Sequence, residues 1–258
     1  MARTVVVFDV CSSSVILEDL QRTDTLDKYG LLVDAIWNYL SLEANHLGFT
    51  IYKFQGDGFI LIFPPHISAD DVMVFLLYLV HYCNAVIRTF LDNYVQLAKL
   101  PRVGITIGID VGPVHPLNSN AADHDEFFGR PLNLASRFQG SLKRPDQVNH
   151  VLVSGPFYTS ISDRLLRGYF RHTTRAFHNI AEDQELKCWY LNMTQFAAGG
   201  DVFFDANIAK LAGALKDPGL IQVLTPSTAN VRELQKLVVE AVNTKLEQMR
   251  SNEDDAET

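Results

Sequence analysis

Cysteine is scarce in this chain of 258 residues, and Cys11, Cys83 and Cys188 are odd in number, isolated and without ligand spacing. That excludes a disulfide framework and a structural zinc site, and it fits a reducing, cytoplasmic setting. A basic cluster is also missing. The 22 Lys and Arg against 30 Asp and Glu give a net charge of −8, so nucleic acid or an anionic membrane held through a broad electrostatic face is excluded as a partner. The N-terminus enters a strand almost at once, without a signal-peptide pattern. The most apolar stretch, Val72 to Ile87, contains His81 and Asn84, is flanked by Asp70 and Asp71, and is short for a membrane span. No internal repeat is found. What is present, 47% hydrophobic and 20% charged residues, describes a soluble globular protein with one sizeable domain, or one domain with a helical appendage.

Hydrophobic periodicity orders the elements. Val5 to Asp9 reads as a strand, Cys11 to Leu20 as a short helix with Ser12, Ser13 and Ser14 as capping candidates, and Thr25 to His46 as a longer helix closed by Gly48. Residues 49 to 63 read as two strands joined at Gly56-Asp57-Gly58. Ser68 with Asp71 resembles a capping box that opens a helix running to about Ala98. A strand from Arg102 to Asp110 should turn at Val111-Gly112-Pro113 into a short strand around Val114 to Leu117. Asn118 to Glu126 reads as a loop, and Pro131 suits the first turn of a helix to about Leu142. Strands at 150–154, 168–175 and 185–192 enclose a helix at 156–165. The mixture predicts an α+β fold, a mainly antiparallel sheet covered by helices. A composition shift at Ala197-Ala198-Gly199-Gly200 divides residues 1–195 from a helical extension over 196–250, with helices at 205–215 and from Asn230 to about Met249. Residues 251–258 form an acidic tail expected to be disordered.

Two carboxylates stand out because each ends an apolar strand. Asp9 and Asp57 are 48 positions apart, but a hairpin paired beside the first strand brings them together. Two such carboxylates can hold a pair of divalent ions. Either aspartate alone is more simply an acid meeting solvent at a strand end. Asn133 and Arg137 are four residues apart and project from one helical face. An amide and a guanidinium fork can stabilise charge that grows on a phosphorus centre, although alone the pair reads as a helix-surface contact.

Four motifs in order, Val6-Val7-Phe8-Asp9-Val10, Lys53-Phe54-Gln55-Gly56-Asp57, Val103 to Gly108 with Gly112-Pro113-Val114, and Phe128 to Arg137, resemble the class III nucleotide cyclase catalytic domain over about residues 3 to 192. The resemblance implies a ferredoxin-like palm fold. It implies that Asp9 and Asp57, with the Val10 carbonyl, hold two divalent ions, Mn2+ or Mg2+. Backbone amides of Cys11, Ser12, Ser13 and Ser14, at a helix N-terminus, would hold the phosphates of a nucleoside triphosphate. Asn133 would orient the ribose and Arg137 would stabilise the transition state. The metal carboxylates and the Asn/Arg pair of one site come from different protomers in that family, which implies a homodimer with active sites at its interface.

Lys53 matches the base-reading lysine of adenylate cyclases, and Glu126, three before Gly129, lies where they often carry aspartate. A donor and an acceptor suit adenine, cytosine or uracil. Tyr52, Gln55, Phe127 and Phe128 add bulk that can shrink a purine pocket, or equally pack the sheet. Arg130 departs from the residue frequent after that glycine. The family's phosphate-binding lysine is missing near His178-Asn179, with Arg171, Arg175 or His178 as substitutes. A stand-alone cyclase domain with a divergent base pocket and a helical extension looks like the bacterial Pycsar antiphage cyclases. The implied reaction is conversion of UTP to cyclic UMP, a signal for a separate effector protein. The alternatives are an adenylate or cytidylate cyclase, a cyclase-like binding module that has lost catalysis, and a diguanylate-cyclase-like or polymerase palm domain.

Overall fold

The computed structural model describes residues 2–97, 103–117, 126–177 and 185–195. The helices expected at 205–215 and 230–249, the acidic tail and His178-Asn179 lie outside them. In chain order the elements are β1 (Ala2–Val10), α1 (Ser13–Arg22), α2 (Tyr29–Leu47), β2 (Thr50–Phe54), β3 (Gly58–Phe63), α3 (Ala69–Tyr94) and β4 (Ile105–Pro113). There follow β5 (His115–Leu117), β6 (Glu126–Phe128), α4 (Arg130–Gly140), β7 (His150–Ser154), α5 (Gly155–Ser160), α6 (Arg164–Tyr169), β8 (Arg171–Ala176) and β9 (Glu185–Asn192). Seven strands make one sheet in the order β2-β3-β1-β4-β7-β9-β8, and β5 pairs with β6 apart from it. Every neighbour is antiparallel except β4 and β7.

Within β1, Val5 to Phe8 form an unbroken apolar run because helices cover both faces of the strand. Val5 and Val7, with Ile60 and Ile62 of β3, pack against Ala135 and Leu132 of α4. On the opposite face Phe8 meets Phe59, Phe59 meets Trp37 of α2, and Phe63 meets Phe75 of α3. Stacking of Tyr39 on Tyr82 and the Tyr82 hydroxyl's bond to the Ala35 carbonyl (2.9 Å) lock α2 to α3. α3 is long and apolar enough to cross a membrane by length and composition, and half of that stretch is buried within the fold. The three cysteines are buried, and none is in a disulfide.

α4 lies directly along β4. Thr106, Gly108, Asp110 and Gly112 alternate on one face, and they meet Gln139, the Ala135–Phe138 turn, Arg130 and Pro131 in that order. A Cβ at Gly108 would stand 2.1 Å from the Ala135 carbonyl oxygen, so only glycine lets the helix come this close. The register pairs Asp9 of β1 with Thr106 of β4, which places Asp9 on the face that α4 covers.

Several expectations are corrected. β4 does not turn at Val111: pairing with Ala2, Arg3 and Thr4 of β1 carries it to Pro113. Glu126 belongs to a strand rather than a loop, because it pairs with Leu117. The helix expected at 156–165 is two helices, since Asp163 caps the second by accepting from the Leu165 and Leu166 amides. α3 ends at Tyr94, where Val95 turns extended, rather than near Ala98. Ser12 takes the N-cap position of α1 in a left-handed conformation (φ 62°) without a side-chain cap.

Candidate active site

The hairpin of β2 and β3 lies beside β1 and brings Asp57 to Asp9. The Val10 amide donates to the Asp57 carbonyl (3.0 Å), which ties the hairpin tip to the end of β1. Gly58 faces Asp9 across the ladder, and a Cβ there would meet the Phe8 carbonyl oxygen at 2.2 Å. The close approach of the two carboxylates therefore depends on this glycine. The Ser13 hydroxyl donates to Asp57. The Gln139 amide donates to Thr106 Oγ1 (2.9 Å) and lies 3.4 Å from Asp9. Burial first, then hydrogen bonding and repulsion from Asp57, pushes the Asp9 carboxyl up to about 7.

Asp9, Val10, Asp57 and the segment Cys11 to Ser14 line one cleft of about 390 Å3. The donor set is two carboxylates and backbone oxygen, hard ligands of the kind Mg2+ takes together with substrate phosphates. Among the described residues there is no cluster of three or more His, Cys, Asp or Glu side chains, so phosphate and water oxygens would complete the shell. A cation also relieves the repulsion that raises Asp9. The residues present thus fit a hard divalent ion.

The segment expected to hold phosphates needs one correction. The Cys11 amide is used within the fold, donating to the Gly104 carbonyl (2.9 Å). The first intrahelical bond of α1 runs from Ile16 to Ser12, so the amides of Ser13 and Ser14 belong to the helix's open first turn. Left-handed Ser12 directly before them (φ 62°) gives a turn of the kind that can present amides to an anion. Lys143 is the one basic side chain among the described residues lining this cleft. Sequence reasoning missed Lys143, Gln139 and Thr106. Gln139 had a signal, six residues beyond Asn133 on the same helix, but its partner across the sheet was invisible.

Asn133 and Arg137 do not join this cleft. Both are exposed on α4, opposite the face that buries Leu134, Ala135 and Phe138. Asn133 lies about 9 Å along the helix axis from Gln139. Arg130 at the start of α4 pairs with buried Asp110 at 3.6 Å and anchors this end of the helix.

The three candidate base-reading residues do meet. Lys53 Nζ donates to Glu126 (3.2 Å), and the Tyr52 hydroxyl lies 3.0 Å from the same carboxylate. That hydroxyl also accepts from the Phe127 amide (3.1 Å). The Tyr52 ring meets Phe127 edge-on at 5.4 Å, and Lys53 lies 5.1 Å from its centroid. The Lys53–Glu126 hydrogen bond raises the lysine pKa and lowers that of the glutamate, so both are charged at neutral pH. This trio sits where β6 leads into α4, next to the Asn133 end. Arg171 and Arg175 line a different cavity.

No protein-family model and no curated protein sequence matches the chain. Solved structures do. The guanylyl cyclase Cya2 superposes with a TM-score of 0.57 at 16% identity, covering 74% of this chain and 91% of that one. The adenylyl cyclase CyaB from P. aeruginosa gives 0.55 at 18% identity, over 73% and 92% of the two chains. A bacterial light-regulated adenylyl cyclase gives 0.55 at 14% identity, over 75% of this chain and 52% of that longer one. The fold is that of the class III cyclase catalytic domain.

Proposed function

We propose that the chain is a nucleotide cyclase that converts UTP to 3′,5′-cyclic UMP and pyrophosphate, working as a homodimer. One observation supports this reading: the cleft residues and the residues expected to complete the site do not meet within one chain. Asp9, Asp57, the Ser12–Ser14 turn and Lys143 form a cleft, while Lys53, Glu126, Asn133 and Arg137 lie exposed near α4. A second copy facing the first brings the exposed set of one protomer over the cleft of the other. Isologous pairing then makes two equal sites. Leu117 and Phe128, about half exposed at 51% and 52% on the β5–β6 hairpin, add apolar area beside that exposed set.

In this reading Asp9, Asp57 and the Val10 carbonyl hold two divalent ions, Mg2+ or Mn2+, which when bound lower the pKa of the attacking hydroxyl and neutralise the triphosphate. The Ser13 and Ser14 amides and Lys143 position the β- and γ-phosphates. Gln139 fixes the Asp9 carboxylate against Thr106. Asn133 of the partner protomer orients the ribose so that its 3′ oxygen attacks the α-phosphate in line, and the bond to the pyrophosphate oxygen breaks. Arg137 of that protomer stabilises the charge that develops on the equatorial oxygens.

The choice of uracil rests on the base trio. Lys53 donates and Glu126 accepts, and the Tyr52 hydroxyl tied to Phe127 narrows the space beside them. A pyrimidine suits this better than a purine. The resemblance to the Pycsar cyclases adds the biological role, a cytoplasmic enzyme whose product activates a separate effector in antiphage defence. The same donor and acceptor favour ATP as the second reading. Incubation of the purified chain with each of the four ribonucleoside triphosphates and Mn2+ or Mg2+, with products identified by mass, decides. Cyclic UMP is expected; cyclic AMP or cyclic CMP replaces the base assignment, and no cyclic product from any nucleotide rejects the cyclase reading.

A further inference from the structure

The reaction proposed above leaves Arg130 and its partner Asp110 without a role. Asp110 stands well inside the sheet, on β4 between β1 and β7, and its side chain has no exposed surface. Neither of its carboxylate oxygens has a hydrogen-bond partner of ordinary geometry among the described residues, although a buried charge is normally both paired and hydrogen-bonded. Burial pushes the carboxyl up from its ordinary value, against the weaker pull of Ser154, Val111 and Arg130. The counter-charge that the fold supplies is Arg130, at 3.6 Å, and that side chain is 58% exposed.

Such a pair is a poor source of stability, because the cost of taking charge out of water offsets most of the attraction, and apolar residues of similar volume commonly do as well. What it supplies is direction. The start of α4 has no side-chain cap, since Gly129 holds the N-cap position. It is seated by close packing instead: a Cβ on Gly112 would lie 3.0 Å from the Pro131 ring, and one on Gly129 would lie 2.5 Å from the Pro113 carbonyl oxygen. These contacts set how near the helix comes to β4, but they do not fix its rotation. The ion pair does, because Arg130 belongs to the first turn and Asp110 is held in the sheet. A carboxylate at a helix N-terminus is also favoured by the helix dipole. Arg130 and Arg137 are seven residues apart, two turns, and so stand on one flank of α4 with Asn133 between them. The plainer role is a structural tie of helix to sheet, which stability alone would report.

We propose that Asp110 is a positioning residue for the cyclase reaction: by holding Arg130 it fixes the rotation of α4, and so sets where Arg137 stands against the α-phosphate in the partner's cleft. This assignment rests on the function proposed above. At 3.6 Å the pair is beyond hydrogen-bond reach, so it is held by charge rather than by the fork geometry that distinguishes arginine from lysine.

The test measures kcat and KM of the full-length protein for the triphosphate it cyclises, at a temperature well below the melt of every variant. Asp110→Asn keeps the shape and removes the charge, and kcat is expected to fall about 10- to 100-fold with KM within about twofold of native. Arg130→Gln should lose as much, whereas Arg130→Lys should stay within about threefold of native. In the Arg137→Ala background Asp110→Asn should cost at most about threefold more, the share left to Asn133, because the residue it positions is gone. Equal losses in the two backgrounds, a raised KM at unchanged kcat, or Arg130→Lys as impaired as Arg130→Gln overturns the assignment and leaves the cyclase reading standing. A lower melting temperature with kcat unchanged makes the pair structural and overturns the assignment too. Absence of any cyclic product from the native protein overturns the reading and the assignment together.

Discussion

The two halves of the candidate active site are built by opposite means. Around Asp9 the chain has closed on itself: β1, the hairpin tip, α1 and the last turn of α4 converge from four parts of the sequence. Burial there raises a carboxyl pKa to about 7. Around Asn133 nothing closes. Asn133, Arg137, Lys53 and Glu126 stay at the surface, and the last two are ionised by each other rather than perturbed by burial. The first half is organised by folding, and in the proposed dimer the second is completed by association. This division predicts that substitutions in the cleft alter stability and activity together, whereas substitutions at the exposed set alter activity alone.

The largest expected effect breaks the metal half. Asp57→Ala should lower turnover by about a thousandfold or more, because the ions lose one of two carboxylates. Mixing that variant with Arg137→Ala should recover activity, up to about a quarter of the native level for random pairing, through one intact composite site per mixed dimer. An absence of recovery in a mixture shown to exchange subunits would end the shared-site account. Next, Arg137→Ala alone should reduce kcat about 100- to 1,000-fold with KM little changed. Its thermal melt should match the native protein, and a large loss of stability would mean that α4 uses this arginine structurally.

A smaller effect belongs to the base trio. Glu126→Gln should change the ratio of kcat/KM between pyrimidine and purine triphosphates by about 10- to 100-fold, measured by competition, with no change in melting temperature. A uniform loss across all four nucleotides would assign Glu126 to positioning Lys53 and Tyr52 rather than to reading the base. The smallest effect concerns pH. Folding raises the Asp9 pKa from 3.8 to about 7, so its contribution to stability is fully present below about pH 4 and is lost as pH rises through about 7. The metal-free protein should therefore melt lower at pH 8 than at pH 5.5. Asp57→Asn, which removes the neighbouring charge, should flatten that slope. Saturating Mg2+ should flatten it as well.

Much of this was legible in the chain because it is local. Val5 to Asp9, the Gly56-Asp57-Gly58 turn and the Ser68 cap each carry their signal within a few residues. The boundaries that failed were those set at a distance. β4 continues to Pro113 because β1 supplies partners for it, and Glu126 is in a strand because Leu117 lies opposite. The use of the Cys11 amide by Gly104 was likewise out of reach, since 93 residues of chain separate donor and acceptor.

The sequence by itself determined the residue types on which the proposed chemistry rests: two carboxylates at strand ends, an amide and a guanidinium one helical turn apart, and a lysine with a glutamate as the candidate base readers. Periodicity also determined that Asn133 and Arg137 share a face, as helix geometry requires of residues four apart. Only the tertiary structure decided which way that face points. Gly108 lets α4 settle onto β4 through Ala135 and Phe138, and packing one side of a helix leaves the other to solvent. The same packing turns Gln139 toward Asp9 and Asn133 away from it. That is the physical reason why the two halves of the site, contiguous in chemistry, are separated within one chain.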